Sequence, residues 1–220
     1  MAIPQNIHLL YRSKIIPDHY QQYFSKIKEL HPSWNIRVYD DKDALSIVKR
    51  KFPQFLDIYT NYTLNIQRID LFRILIVFLY GGFYLDLDMN CKKKLDELCT
   101  FNLVLGEERT FTPNELLESD HFHCLRIANY MFGSKPGHPF WIDFLNAAVK
   151  KSVILVCTEN DVLETTGPGL LTNVYHQYKK KYTDIVVLKN GKICESLCNK
   201  VSCHFGGFAA HMHLGSWRWQ

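Results

Sequence analysis

Residues 65–80 and the eight residues after them constrain the fold more than any other stretch of this chain. Ile66, Ile69, Phe72, Leu75, Ile76 and Leu79 recur at helical spacing and form a broad apolar stripe. The stretch ends at Gly81-Gly82, and glycine supplies the positive φ that caps a helix. An apolar segment, residues 83–87, follows and reads as a buried strand ending in Asp86 and Asp88. A buried helix that turns straight into a buried strand belongs to an alternating α/β architecture.

The rest of the first half repeats the alternation. Residues 6–11 read as a first strand, and Ile16-Pro17-Asp18 opens a helix carrying Tyr20, Phe24, Ile27 and Leu30 on one face. Residues 34–39 alternate as a second strand, and residues 43–51 follow as a helix. Further on, residues 103–107 and 127–132 read as strands, 140–150 and 170–180 as helices, and 185–188 as a strand. A turn is expected at Gly133–Pro139 and another at Asn190-Gly191. The tail, rich in His, Gly and Trp, reads as a loop. The pattern predicts an α/β fold with a mostly parallel sheet flanked by helices, in one domain over residues 1–220.

Three groups of residues could carry chemistry. Asp86 and Asp88 stand at the carboxyl end of a strand, where ligands gather in open α/β sheets. Alternation puts them on one side and Leu87 in the core. Two close carboxylates repel unless a cation compensates, and hard oxygen ligands suit Mg²⁺ or Mn²⁺. On the preceding helix, Asp70 and Arg73 share a face, with Arg68 a third of a turn away; a structural ion pair and a contact to sugar hydroxyls are both open readings. The tail offers His211, His213, Ser216 and Trp217: imidazoles that could complete a metal shell, and donors for phosphate oxygens.

Several other motifs are set aside. Cys194, Cys198, Cys203 and His204 lack the tight pairs of a structural zinc site. Thr166-Gly167-Pro168-Gly169 lacks the lysine of a phosphate-binding loop. A haloacid-type phosphatase wants Thr or Val two residues after its second aspartate, and Asn90 stands there.

Taken together, the segments resemble the retaining glycosyltransferases with an Asp-x-Asp motif, family thirty-two of the sequence-based classification, and more distantly the glucosylating toxin domains. The resemblance rests on Ile7-His8, the block from Arg68 to Asp88, Asn129 ahead of Gly137-His138-Pro139, Thr166-Gly167-Pro168, and His211 with Ser216-Trp217. It implies a GT-A fold, a nucleotide-sugar donor and a divalent metal, Mn²⁺ or Mg²⁺. Asp88 would bind the metal with Asp86 and His211, and Asp86 would also contact ribose and sugar. Asp70 and Arg73 would hold the transferred sugar, with Asn129 near the anomeric centre. Arg68, Tyr84, Thr166 and Gly167 would line the donor site, Ser216 and Trp217 the diphosphate, and His8, Leu10 and Tyr11 the base pocket. The implied reaction moves a hexose to an acceptor hydroxyl with retention, by front-face attack without a protein nucleophile.

Two departures matter. Tyr11 stands near where the family often has Trp, which leaves the base open between UDP-hexose, the first choice, and GDP-mannose. His213 is a second imidazole beside His211. An inert nucleotide-sugar-binding module is the non-enzymatic alternative. The acceptor, a glycan, lipid, small molecule or protein, is not encoded in any motif.

Composition narrows the class. The 220 residues carry a net charge of +4, too weak a field to argue for nucleic acid. The runs Lys92–Lys94 and Lys179–Lys181 read as solvated surface. Seven cysteines without a paired framework, and an N-terminus lacking a basic region and apolar core, suggest a cytoplasmic protein, with a peripheral membrane contact as the alternative. The longest apolar stretch, residues 74–80, is far too short to span a bilayer.

Overall fold

A computed structural model describes residues 2–117, 122–189 and 204–214. The first half contains β1 (Asn6–Leu10), α1 (Asp18–Leu30), β2 (Asn35–Tyr39), α2 (Asp41–Lys51), α3 (Leu56–Asn61), α4 (Asn65–Tyr80), β3 (Gly82–Leu85) and β4 (Met89–Cys91). The second half contains β5 (Leu103–Thr110), α5 (Pro113–Leu117), β6 (Leu125–Ser134), α6 (Phe140–Lys151), α7 (Glu159–Thr165), α8 (Pro168–Tyr178), β7 (Ile185–Leu188), β8 (His204–Phe205) and β9 (Ala209–His211).

Six strands form one sheet in the order β2-β1-β3-β6-β5-β7. All run the same way except β6, which is antiparallel to both β3 and β5. The expected mostly parallel sheet with flanking helices is therefore present. Side chains alternate between two apolar layers. Phe83 and Leu85 pack with α1 residues such as Tyr23 and Ile27, while Tyr84 packs under α4 with Phe72 and Leu75.

Helix α4 occupies the residues the spacing predicts, but its burial is not a stripe. Leu71 through Val77 are all buried, and so are the polar Gln67, Asp70 and Arg73. Burial obliges these polar groups to find partners within the protein: Gln67 accepts from the Leu64 N–H at the start of the helix, while Asp70 and Arg73 face the site. Gly81 ends it at φ 63°, with its N–H on the Val77 carbonyl. A Cβ at Gly81 would sit 2.6 Å from Pro136 and 2.8 Å from Pro4, so neither the backbone angle nor the space admits another residue.

The chain departs from the sequence reading in four places. The strand expected over 83–87 ends at Leu85; the Asp86 N–H still reaches the Tyr130 carbonyl of β6, but its own carbonyl accepts from Met89 N–H and closes a turn. β6 runs on to Ser134, into the segment expected to be a turn. Three short helices, α3, α5 and α7, were not foreseen, although Thr158 and Asp161 form a capping box at the start of α7. The tail is not only loop: β9 pairs with β4 on one side and β8 on the other in a second, antiparallel sheet. Such strands of two and three residues are set by the edge they join rather than by their own alternation. The Asn190-Gly191 turn and the cysteines 194, 198 and 203 lie outside the described residues.

His8 on β1 shows how the α4 side of the sheet is closed. It is 1% exposed, with Nε2 2.8 Å from the Gly81 carbonyl and Nδ1 3.1 Å from the Tyr39 hydroxyl. A carbonyl only accepts, so Nε2–H donates, and neutral Nδ1 accepts from Tyr39. Burial pushes its pKa down from 6.5 to about 4. Between those values the unfolded chain takes up a proton that the folded protein refuses, so stability falls as pH drops. The loss should reach about 2 kcal/mol by pH 5. His8→Gln should therefore be weaker at pH 7 yet lose about 2 kcal/mol less between pH 7 and pH 5. Denaturant titrations at the two pH values measure this; an unchanged slope would assign the titration to other groups.

Candidate active site

The carboxyl end of β3 brings most of the sequence-predicted residues into one buried network. Asp70 and Arg73, three apart on α4, form an ion pair at 3.2 Å with side chains 4% and 5% exposed. Asp70 also accepts hydrogen bonds from Asn129 Nδ2 at 3.1 Å and Thr166 Oγ1 at 3.0 Å. Arg73 donates to the Asn129 carbonyl at 2.8 Å, reaches Asp86 Oδ1 at 3.4 Å, and lies over the Tyr84 ring. The Tyr84 hydroxyl donates to the same Asp86 oxygen. Burial pushes the Asp70 carboxyl up to about 6, opposed by Arg73, Thr166 and Asn129. This cluster is at once the structural ion pair and the candidate sugar contact; the two readings describe the same atoms.

Beside it stands the triad of Asp86, Asp88 and His211, whose ligand atoms lie within 4.8 Å of one another. The turn at 86–88, not strand alternation, brings the two carboxylates together. His211 arrives because β9 pairs with β4 in a register that sets it opposite Met89. Asp88 is clamped from both sides. Its backbone carbonyl accepts from Met212 N–H at 3.1 Å, and its carboxylate accepts from Leu214 N–H at 2.8 Å. His211 Nε2 is 3.2 Å from Asp88 and 4.0 Å from Asp86, and its ring stacks on Tyr130.

The charges of the triad are unequal. Burial raises the Asp86 pKa, with Arg73 opposing and the Asp88 charge adding to it. Burial also disfavours charge on Asp88, but the His211 and Leu214 hydrogen bonds hold its carboxyl below the usual range. Burial likewise opposes charge on His211, yet its bond to Asp88 raises its pKa overall. Asp86 is the open member, its side chain 26% exposed against 5% for Asp88. Two carboxylates and one imidazole form a hard O,O,N donor set that fits Mn²⁺ or Mg²⁺. The buried Nδ1 of His211 has no hydrogen-bond partner among the described residues. His213 is exposed, at φ 53°, and is not in the triad.

The other predicted residues divide. Leu10 and Tyr11 line a hollow at the ends of β1 and β2, with Tyr39, Asp40, Asp41 and Tyr59, which the sequence did not single out. The His8 ring is spent on Gly81 and Tyr39 beneath it, so this side chain faces the interior instead of the hollow. Arg68 donates to the carbonyls of Tyr59 and Tyr62, which pins α3 against α4 and leaves it outside the triad. Tyr84 is 1% exposed and supports Arg73 and Asp86 from below. Gly167 caps the N-terminus of α8 next to Thr166. Ser216 and Trp217 lie outside the described residues. The Leu214 N–H, a backbone donor to Asp88, carries no sequence signal at all.

Residues 17–105 match the family described as the glycosyltransferase sugar-binding region containing a DXD motif. The chain is 33% identical over 178 residues to mannosyl phosphorylinositol ceramide synthase SUR1 of Saccharomyces cerevisiae, covering 81% of this chain and 43% of that one. It is 26% identical over 231 residues to the uncharacterized glycosyltransferase L373 of Acanthamoeba polyphaga mimivirus, covering 98% and 84%. The chain thus spans less than half the length of the yeast relative. Among solved structures, the PaToxG glycosyltransferase superposes with a TM-score of 0.55 at 18% identity, over 80% of this chain and 69% of that one. This likeness shows the fold, GT-A.

Proposed function

The chain belongs to the glycosyltransferases whose sugar-binding region contains the DXD motif, and from that premise we propose that it transfers a mannosyl group from a nucleotide donor to an acceptor hydroxyl. The observation that carries the reading is the convergence of Asp86, Asp88 and His211 beside the buried Asp70–Arg73–Asn129 network. Asp86, Asp88 and His211 would hold Mn²⁺ or Mg²⁺, which supplies positive charge to a departing diphosphate. Arg73 fixes Asp86 and the Asn129 backbone, and Asp70 fixes the Asn129 side chain, so the sugar pocket is set before substrate arrives.

In the transfer, the bond between the sugar C1 and the diphosphate oxygen breaks and the acceptor oxygen bonds to C1. The acceptor proton goes to the departing phosphate oxygen. For a retaining outcome, both oxygens of Asp70 already accept hydrogen bonds, which favours front-face attack over a covalent intermediate on that carboxylate.

For the donor we take the second of the two left open by the sequence, GDP-mannose. The yeast relative is by name a synthase of mannosyl phosphorylinositol ceramide. The hollow at Tyr11 is bordered by Asp40 and Asp41. Guanine presents two adjacent N–H donors to a carboxylate, whereas the N–H of uracil is flanked by carbonyls. The same relative makes a lipid acceptor of the inositol phosphoceramide class the first to test.

Purified protein with Mn²⁺ should release GDP from GDP-mannose in slow hydrolysis, and faster when inositol phosphoceramide is supplied. UDP-glucose, UDP-galactose and UDP-N-acetylglucosamine should give at least tenfold less, about 1.4 kcal/mol of discrimination. Release of UDP instead would overturn the donor assignment. No release from any donor, with acceptor present, would overturn the transferase.

A further inference from the structure

Few large apolar side chains stand fully in water. Ile15, Leu117, Phe122, Val153 and Leu155 are 76–87% exposed, and the next, Ile142, is 47%. Single exposed apolar residues are ordinary on a protein surface, but these five are segregated. β1, β3 and β5 run one way and β6 the other, so the ends of β1 and β5 and the start of β6 lie at the Asp86 end of the sheet. Ile15 follows β1. Leu117 and Phe122 stand between β5 and β6. α6 begins where β6 leaves the far end, and its 12 residues, about 18 Å of helix, return the chain. Val153 and Leu155 come next, before α7 leads to Thr166 on Asp70. All five stand at the end that carries the site.

Two of the three connections pair their apolar tips with cations. Lys150 and Lys151 precede Val153, and Arg12 and Lys14 precede Ile15, Lys14 also pairing with Asp43. Separate apolar tips on three connections do not make the continuous patch a protein partner would cover. A bilayer requires no matching shape: apolar tips enter the headgroup–acyl boundary while neighbouring cations meet the phosphates.

We propose that the site-bearing end of the protein docks on a phospholipid surface through the side chains of Ile15, Leu117, Phe122, Val153 and Leu155. Three contacts around the site fix its orientation toward the bilayer. The further statement that the acceptor is drawn from that bilayer rests on the mannosyl-transfer reading; the docking does not.

Flotation of the purified full chain with phosphatidylcholine vesicles, with and without phosphatidylinositol, tests it. The protein should float with both and more strongly with the anionic lipid. Val153→Asp combined with Leu155→Asp should lower the partition coefficient about tenfold or more. Lys150→Glu with Lys151→Glu should remove the preference for anionic lipid. Ile142→Asp, at the far end, should change nothing. The proposal fails if wild type ignores both vesicles, if the Val153/Leu155 variant binds as wild type does, or if Ile142→Asp is equally harmful. It also fails if light scattering shows a dimer that this variant abolishes, since the surface then belongs to a second copy. GDP release is measured in parallel. Vesicle binding without release would sink the transfer reading alone, and release without vesicle binding would sink the docking alone.

Discussion

Arg73→Met should destabilise the fold by about 3–5 kcal/mol, the range for removing one partner of a buried ion pair. Arg73 is 4% exposed and touches Asp70, Asp86 and the Asn129 carbonyl. Methionine fills part of the space but leaves Asp70, itself 3% exposed, as a buried carboxylate with only Asn129 and Thr166 for support. Asp86 at the same time loses the cation that offsets Asp88. Chemical denaturation gives the number, and the second variant gives the cause. Asp70→Asn needs no counter-charge, so adding it to Arg73→Met should recover a large part of the loss. A loss below about 1 kcal/mol, or no recovery, would mean that the network does not hold α4 to β6 as drawn.

Asp88→Asn should lower metal-dependent nucleoside diphosphate release by about 10²–10³-fold with a small change in melting temperature. The amide keeps an oxygen for the Leu214 N–H, so the local backbone is retained, but it loses the charge that faces His211 and would face the cation. The weakened Mn²⁺ affinity should appear directly in a titration of activity against metal. His211→Ala should act in the same direction, and His213→Ala, outside the triad, should act far less. Wild-type release from Asp88→Asn at all Mn²⁺ concentrations would remove the triad from the reaction.

The sequence was most legible where local and tertiary forces agree. The 16 residues of α4 are bounded as their spacing and Gly81 require, because an apolar helix followed by a positive-φ glycine has one way to end. β7 matches residue for residue for a similar reason. Asp86 and Asp88 were expected on one side by alternation; they meet instead through a turn. Residues 83–87 alone do not show where the ladder to β6 stops. The family resemblance placed His8 at a base pocket, but its own hydrogen bonds, to Gly81 and Tyr39, depend on packing no local pattern encodes. β9 went unread because its pairing is supplied by β4, more than a hundred residues earlier, and β8 because it pairs only with β9. The Asp40 and Asp41 hollow had a signal in the Asp40–Asp43 capping box, which marks the end of β2 as an α/β turn facing the site.

The pairing of β9 with β4 has a consequence for how the protein is made and lost. Among the described residues, every strand of the large sheet is encoded before residue 189, together with Asp86 and Asp88. The imidazole is not. A polypeptide halted before His211 keeps all six of those strands and the two carboxylates, but has neither the imidazole nor the Leu214 N–H that steadies Asp88. The cluster therefore cannot form until more than a hundred further residues have followed its carboxylates. Removing β9 would leave Asp86 and Asp88 without the imidazole that joins them in the candidate site.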